Sequence, residues 1–308
     1  MDKEKQKDIK SFKVDEIASL PPEKLQPAIA SLVSGIATRR NRNLLVMFYP
    51  ETTNVSMSPP NISTIRSAIA KADRIEQLDL FIHSSGGDIH TAYKLAKLCQ
   101  KRSKHVKALV PEYAKSAATL LALGCHELEM SPIAELGPLD PVILGEDGSQ
   151  YPAFAIRISP KVLEKEIEEC KNEDVRKLKA EFVVGPIAAK IDPYLLSEMS
   201  DIPTLAIAYG KKLLTAVGYE EEVAERILKR LTYEKGHPSH GYVIDVDEAR
   251  EIGLNAKEME KETEEECLGL LLVLRLCERK MCDNGRPPKS PLVYFESPKV
   301  EEKSERRD

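Results

Sequence analysis

Short apolar runs alternate with helical patterns between residues 43 and 130, and this alternation constrains the fold more than any other feature. Apolar runs at residues 43–49, 78–83, 106–110 and 127–130 are typical of buried strands, and helical spacing of apolar residues separates them. Strands that are joined through helices by short connections form parallel sheets with right-handed crossovers. The sequence therefore predicts an α/β domain built on a parallel sheet.

Two turns in this pattern have the form of a strand, a tight turn and the start of a helix. One contains Gly86 and Gly87, and the other contains Ser116 at the start of the apolar segment 116–123. Such turns direct backbone N–H groups toward one edge of the sheet, where α/β proteins bind ligands. A serine beside those donors, which include the N–H of Ala117, has the components of a nucleophile with an oxyanion hole. This pattern predicts a serine hydrolase.

Both turns also have a purely structural interpretation. A Gly pair after a strand is common in loops, and a Ser before an apolar helix is a usual N-cap. The glycine spacing matches neither a dinucleotide-binding fingerprint nor a P-loop. The serine turn therefore carries more of the functional prediction than the glycine turn.

Composition argues against several other classes of protein. The net charge is -5, Trp is absent and aromatic residues make up 5%, which disfavours nucleic-acid binding. Six cysteines without a Cys-x-x-Cys pair indicate reduced thiols in a cytoplasmic protein and no zinc site. The polar start of the sequence lacks the apolar core of a signal peptide, and the apolar run 267–276 is about half of the ~20 residues of a bilayer crossing. We expect no metal, nucleotide or redox cofactor and no transmembrane segment.

The sequence outside the alternating region predicts helical extensions. We expect a helical N-terminal arm at 1–40, the hydrolase domain at 41–260, an apolar helix at 261–283 and a disordered tail at 284–308. Within the domain, a solvated helix is expected near 161–181, followed by helices at 193–200 and 205–231. The apolar helix is expected to pack against the core or a second subunit, with peripheral membrane contact as the alternative.

Four stretches resemble the Clp-fold serine peptidases: SSGG, AKSAATLLALGCHEL, ELGPLDP and SHGYVIDVDEAREIGL. The resemblance spans about residues 40–255 and is closest to the serine dehydrogenase proteinases, which are related to the A-type signal peptide peptidases. It implies a Clp/crotonase-like parallel sheet with repeated ββα-type units, a homo-oligomer, and peptide or protein substrates. It also implies that Ser116 is the nucleophile and that Gly86 or Gly87, with Ala117, forms the oxyanion hole. His83-Ser84-Ser85-Gly86-Gly87 lacks the Pro of the family's usual His-Thr-Pro-Gly-Gly.

The general base has two candidate positions. Clp proteases carry their histidine in the loop after the serine helix, but here that loop, ELGPLDP, offers Asp140 and no histidine. His240 stands near the family's acid position, so a permuted triad of Ser116, His240 and Asp140 is one hypothesis. Signal peptide peptidases use a lysine further along, where Lys161 and Lys165 fall. Both belong to a charged segment, where a lysine usually keeps its proton and is a poor base.

Two other functions remain compatible with the sequence. A crotonase-type acyl-CoA enzyme uses the same pair of N–H donors, but it needs a carboxylate in place of the serine. A non-catalytic scaffold would keep the fold and lack the base, and the missing histidine after Gly137 is compatible with that alternative.

Overall fold

A computed structural model of the chain describes residues 20–53, 55–72, 75–139, 142–144, 150–152, 165, 167–169, 171–184, 193–232 and 241–299. The described α-helices are α1 (Pro22–Arg40), α2 (Pro59–Ile69), α3 (Ile89–Arg102), α4 (Ala117–Ala122), α5 (Glu173–Lys179), α6 (Pro193–Ala216), α7 (Glu221–Leu231), α8 (Val246–Ile252) and α9 (Lys261–Asp283). A short π-helix, Ala180–Val184, follows α5 directly. The described strands are β1 (Asn43–Phe48), β2 (Ile75–His83), β3 (Ser103–Val110), β4 (Tyr113–Ala114), β5 (Glu127–Met130), β6 (Glu135–Leu136), β7 (Val142–Leu144), β8 (Gln150–Pro152), β9 (Ala256–Glu258) and β10 (Leu292–Glu296).

The centre of the molecule is a six-stranded sheet in the order β10-β1-β2-β3-β5-β9. Five of these strands are parallel to one another: β1, β2, β3, β5 and β9. The sixth strand, β10, pairs antiparallel with β1 at the edge of the sheet. One row of the register runs from Leu45 through Leu80, Ala108 and Leu128 to Ala256, and each of these side chains is buried. The structure confirms the predicted α/β fold with a mostly parallel sheet.

Beyond the carboxyl ends of the long strands, short strand segments form a second layer of pairing. Tyr113–Ala114 runs parallel to Glu135–Leu136, and single parallel bridges join Ser84 to Ala114 and Met57 to Gly87. The units that begin with β1, β2 and β3 therefore each combine a long strand, a short paired segment and a helix, as expected for repeated ββα-type units. The segments with Gly86 and Ser116 lie side by side because they belong to neighbouring units.

Helices cover both faces of the sheet. On one face the buried residues of α2, α3, α4, α7 and α8 form a core with Leu45, Leu80 and Ala108. On the other face, α1 and α9 pack against Val46 and Phe81. The buried apolar positions of α1 include Ile29, Val33 and Ile36, which have the helical spacing seen in the sequence.

A buried ionic cluster fastens α1 to the sheet on this second face. Asp79 is 1% exposed, and its two carboxylate oxygens accept hydrogen bonds from Arg40, at 2.5 Å, and from Arg42. Arg40 also donates to Glu129 at 3.0 Å, and Glu129 accepts from Lys107 at 2.7 Å. Charged groups taken out of water need such compensation, so these residues depend on each other.

Helix α9 is part of the core, as predicted for an apolar helix at 261–283. Its residues Leu270, Val273 and Leu274 are at most 1% exposed and pack with α1 and the sheet, which leaves them unavailable to a membrane or a second subunit. Every helix in the described part of the chain is too short or too polar to cross a lipid bilayer.

Two sequence predictions are wrong within the described residues. The predicted disordered tail contains β10, because its alternating residues Leu292–Glu296 complete the sheet against β1. The predicted break between 200 and 205 does not occur, since α6 continues through Pro203 to Ala216. The helix ends instead before Gly218, whose φ of +101° only glycine adopts at low cost.

Candidate active site

Ser116 occupies a sharp turn between the short strand β4 and helix α4. Its backbone has φ +53° and ψ −119°, and among the described non-glycine residues only Asn41 shares a positive φ. Such a conformation costs a residue with a Cβ on the order of 1–3 kcal/mol and is concentrated at functional sites. A serine on a strained strand-to-helix turn also describes the nucleophile of many hydrolases. Ser116 is buried, with 1% of its surface exposed.

The glycine turn presses directly against Ser116. A Cβ built on Gly86 would lie 2.9 Å from the Cβ of Ser116 and 3.2 Å from the nitrogen of Ala117. On Gly87, a Cβ would lie 2.5 Å from the backbone nitrogen and oxygen of Met57. Both glycines have positive φ, of +116° and +136°. Glycine is therefore required at both positions for steric and conformational reasons.

Two backbone donors near Ser116 have no hydrogen-bond partner among the described residues. One is the N–H of Ala117 at the start of α4, and the other is the N–H of Gly87. The Gly86 carbonyl accepts from Met57 at 2.8 Å, so the trans peptide directs the Gly87 N–H away from that strand. The Gly86 N–H donates to the Ser84 hydroxyl at 3.1 Å. Unpaired N–H groups beside a nucleophile are the components of an oxyanion hole.

The loop that leads to Asp140 is attached to the serine helix. Thr119, which is buried in α4, accepts a hydrogen bond from the Gly137 N–H at 3.1 Å, and its hydroxyl lies 2.9 Å from the Gly137 carbonyl. Leu136 and Ile244 then pair as an antiparallel bridge through two hydrogen bonds of 2.9 and 3.1 Å. The segments that flank Asp140 and His240 therefore meet beside the Ser116 turn.

The candidate partners of Ser116 lie mostly outside the described residues. His240, Asp140 and Lys161 are in this group. Lys165 is described, and its side chain is 75% exposed and pairs with Glu169 at 3.6 Å. Its exposure gives Lys165 none of the burial that activates a lysine as a general base.

A model of one protein family, described as ClpP-like SDH-type serine proteinase, matches residues 57–305. The chain belongs to that family. The matched stretch includes Gly86, Gly87, Ser116 and the α9 helix, and it confirms the family resemblance found in the sequence. Membership places this SDH-type proteinase among serine peptidases at the level of the family.

Relatives of this SDH-type proteinase occur in Methanocaldococcus jannaschii. One uncharacterised protein of that organism is 29% identical over 244 residues, which is 76% of this chain and 74% of the relative. A second uncharacterised protein is 27% identical over 177 residues, or 58% of this chain, and the match spans about half of the relative, 51% of its length.

Solved structures with a similar fold include two proteases. The 1510-N membrane-bound stomatin-specific protease, in complex with a substrate peptide, is 17% identical with a TM-score of 0.41, covering 68% of this chain and 73% of its own. ClpP1 from Listeria monocytogenes is 14% identical with a TM-score of 0.37, covering 80% of this chain and 98% of its own. A probable enoyl-CoA hydratase/isomerase from Mycobacterium abscessus is 15% identical with a TM-score of 0.34, covering 80% and 79%.

In this SDH-type proteinase a polar cluster that the sequence analysis missed lies at the carboxyl ends of β1, β2 and β3. The fully buried His83 places Nε2 2.7 Å from a carboxylate oxygen of Glu51, and its ring stacks on Phe48. Arg275 of α9 donates to the carboxylates of Glu51 and Glu112. The only sequence signal for this cluster is a histidine at the end of a buried strand.

The same cluster contains the residue types of a metal site. Glu51, His83 and Glu112 each offer a ligand atom, and these atoms lie within 4.8 Å of one another. The guanidinium of Arg275 already forms ion pairs with both carboxylates, at 2.6 Å from Glu51. A divalent ion would have to displace this cation, so the donor set does not call for a metal.

The cluster predicts an acid-sensitive contribution to stability. The hydrogen bond with His83, and then Arg275, lower the pKa of Glu51 from 4.5 to about 2. A lowered folded-state pKa stabilises the protein above pH 4.5, and this contribution disappears as the pH falls toward 2. In urea unfolding at pH 7, we expect Glu51→Gln to have a lower free energy of unfolding than the natural chain. At pH 3 the difference between the two should be smaller. Glu265→Gln, on the exposed face of α9, is the control, and its difference from the natural chain should not depend on pH in this way. The same pH dependence of the free energy of unfolding in both variants would contradict the assignment.

Proposed function

We propose that this chain is an active serine peptidase in which Ser116 is the nucleophile. The observation that carries the proposal is the turn at Ser116, where a positive φ places the side chain against Gly86 and next to the Ala117 N–H. Membership in a serine proteinase family supports peptide bonds as the substrate. An enoyl-CoA-type reaction has less support, because a serine stands where that chemistry needs a carboxylate.

The proposed reaction is acyl transfer to water. The Ser116 oxygen attacks the peptide carbonyl carbon while a base removes the hydroxyl proton, and the carbonyl oxygen becomes an oxyanion. The Ala117 N–H, with an N–H of Gly86 or Gly87, stabilises that oxyanion; the unpaired Gly87 N–H is the favoured donor. The protonated base then gives its proton to the leaving amine. Water, deprotonated by the same base, releases the acyl group and restores the serine.

His240 is the proposed base, and Asp140 is proposed to orient it. The paired segments that flank these residues support the assignment, since Leu136 and Ile244 each lie four positions away from one of them. Thr119 joins the same loop to the helix that begins next to Ser116. A lysine base, Lys161 or Lys165, is the alternative.

We also propose that the peptidase is a cytoplasmic homo-oligomer. Helix α5 has no buried residue, and its apolar Val175 and Leu178, with Phe182 one turn further, are 49%, 55% and 68% exposed. Apolar side chains with this helical spacing support a contact with another copy of the chain. The described cysteines are all free thiols, which supports a reducing compartment.

Labelling with a fluorophosphonate probe tests this function, because the probe reacts only with an activated serine. We expect the natural chain to be labelled and Ser116→Ala to be unlabelled. Loss of labelling in His240→Ala would support the histidine base, whereas full labelling of that variant would transfer the role to a lysine. A folded natural chain that is unlabelled between about pH 6 and 9, where a histidine base changes protonation, would contradict the peptidase and favour a scaffold.

A further inference from the structure

A cavity lies at the edge of the sheet opposite to Ser116. Its described lining consists of Ile75, Gln100, Lys101, Arg102, Ser103, Lys104, His126 and Ala216, and its volume is about 500 Å³. Ile75 and Ser103 are the paired first residues of β2 and β3, whereas Gly86 and Ser116 follow the other ends of these strands. The length of β2 therefore separates the cavity from the proposed active site, roughly 25 Å at the usual rise per residue.

The described lining of this cavity is positively charged. Lys101, Arg102 and Lys104 contribute three cationic side chains, and none of the described lining residues is acidic. The charge of Lys104 is partly balanced, because this lysine forms an ion pair with Glu76 at 2.9 Å. Lys101 has neither an ion-pair nor a hydrogen-bond partner in the described part of the chain. The described part of the lining thus has an excess of positive charge.

The side chain of Arg102 is held in place by hydrogen bonds to the backbone. One of its terminal nitrogens, Nη2, donates to the carbonyls of Ala72 at 2.5 Å and Ile69 at 3.4 Å, which fixes the guanidinium beside the end of α2. Its Nε is buried and has no hydrogen-bond partner among the described groups. A guanidinium that is already oriented loses little further freedom when it binds an anion.

His126 adds a neutral donor to the same lining. Its Nδ1 accepts the Val106 N–H at 3.1 Å, so the neutral ring carries its proton on Nε2. Burial lowers the pKa of His126, which keeps the ring neutral at physiological pH. Gln100 is fixed by its contacts with the Gly124 and Leu213 carbonyls, which gives the cavity a rigid wall.

A simpler explanation accounts for part of this charge. Lys101 and Arg102 end helix α3, where cations stabilise the helix dipole. That explanation does not account for the cavity or for Lys104, which lies beyond the helix in β3. A volume of about 500 Å³ is within the range of small-molecule sites and much larger than a single ion needs.

We propose that this cavity binds a small phosphorylated anion, with Lys101, Arg102 and Lys104 as its counter-charges. Phosphoryl groups match the fork of N–H donors of an arginine and the point charges of lysines. The site is separate from the serine turn, so binding does not depend on peptidase activity.

Calorimetric titration of the full chain with inorganic tripolyphosphate at low ionic strength tests the proposal. We expect saturable binding with one anion per chain, and Lys101→Glu should weaken it by about tenfold or more, because an attraction becomes a repulsion. Lys94→Glu is the matched control, since Lys94 is exposed on the same helix and outside the cavity lining. It should bind within about twofold of the natural chain, because screened charges at a distance contribute little.

Other outcomes would overturn the proposal. These are an absence of saturable binding, an equal loss in Lys94→Glu, or citrate binding more tightly than tripolyphosphate. Ser116→Ala should bind tripolyphosphate as the natural chain does, and a large change there would place the anion at the serine turn instead.

Discussion

Glycine in place of Ser116 is expected to abolish serine reactivity and to make the folded chain more stable than the matched Ser116→Ala variant by about 1 kcal/mol. Both substitutions remove the hydroxyl group and whatever it binds. Only glycine removes the Cβ that makes φ +53° unfavourable, because alanine keeps the same steric conflict. Peptide hydrolysis should fall by a factor of at least about 10³ in both variants, since the nucleophile is gone.

Urea unfolding of the two variants measures the difference in stability, and probe labelling measures reactivity. The expected pattern is two unreactive proteins, of which Ser116→Gly unfolds at the higher urea concentration. Equal midpoints would mean that the backbone at 116 holds no strain. A variant with retained labelling would mean that the reactive serine lies elsewhere.

Loss of the Asp79 carboxylate is expected to give a large effect on stability. Asp79→Ala leaves Arg40 and Arg42 without their shared partner, and the side chains of these arginines are only 13% and 11% exposed. Removal of one member of a buried ionic cluster costs about 3–5 kcal/mol, mainly because a desolvated charge remains. The loosened element should be α1, since both arginines lie at or just after its end.

Chemical denaturation checks this effect, and Glu76→Gln provides the control. Glu76 is on the same strand, but its side chain is 54% exposed and its pair with Lys104 is at the surface. The control should change the free energy of unfolding by less than about 1 kcal/mol. Similar losses of unfolding free energy in both variants would show that burial does not make the ion pairs of Asp79 more important for stability.

The alternating part of the fold was predictable because its strands are continuous apolar runs. The strand at 127–130 and the helix at 261–283 appear in the structure with the predicted bounds. β10 could not be predicted, because LVYFE is a short run among Pro and Lys residues and becomes a strand only by pairing with β1. Its formation depends on tertiary contacts, which the strand propensity of a short segment does not reveal.

The site was predictable in its residue types but not in its geometry. Ser116 next to an apolar helix and a Gly pair after a strand are visible in the sequence. The positive φ of Ser116 and the contact of Gly86 with its Cβ require coordinates. A signal for the ionic cluster was also present, since Asp79 and Glu129 are acids inside apolar strands and Arg40 and Arg42 precede β1. A buried acid predicts a nearby cation.

The antiparallel strand β10 has a consequence for the order in which the chain folds as it is made. The edge of β1 is covered by Leu292–Glu296, and the apolar face of α1 is covered by α9, both from the far end of the sequence. A ribosome adds about 5–20 residues per second, so these surfaces wait on the order of tens of seconds for their partners. During that time the nascent chain exposes an unpaired strand edge and an apolar helix face, which attract other chains. Production of this protein should therefore depend on protection of residues 22–48 until residues 261–296 have been made.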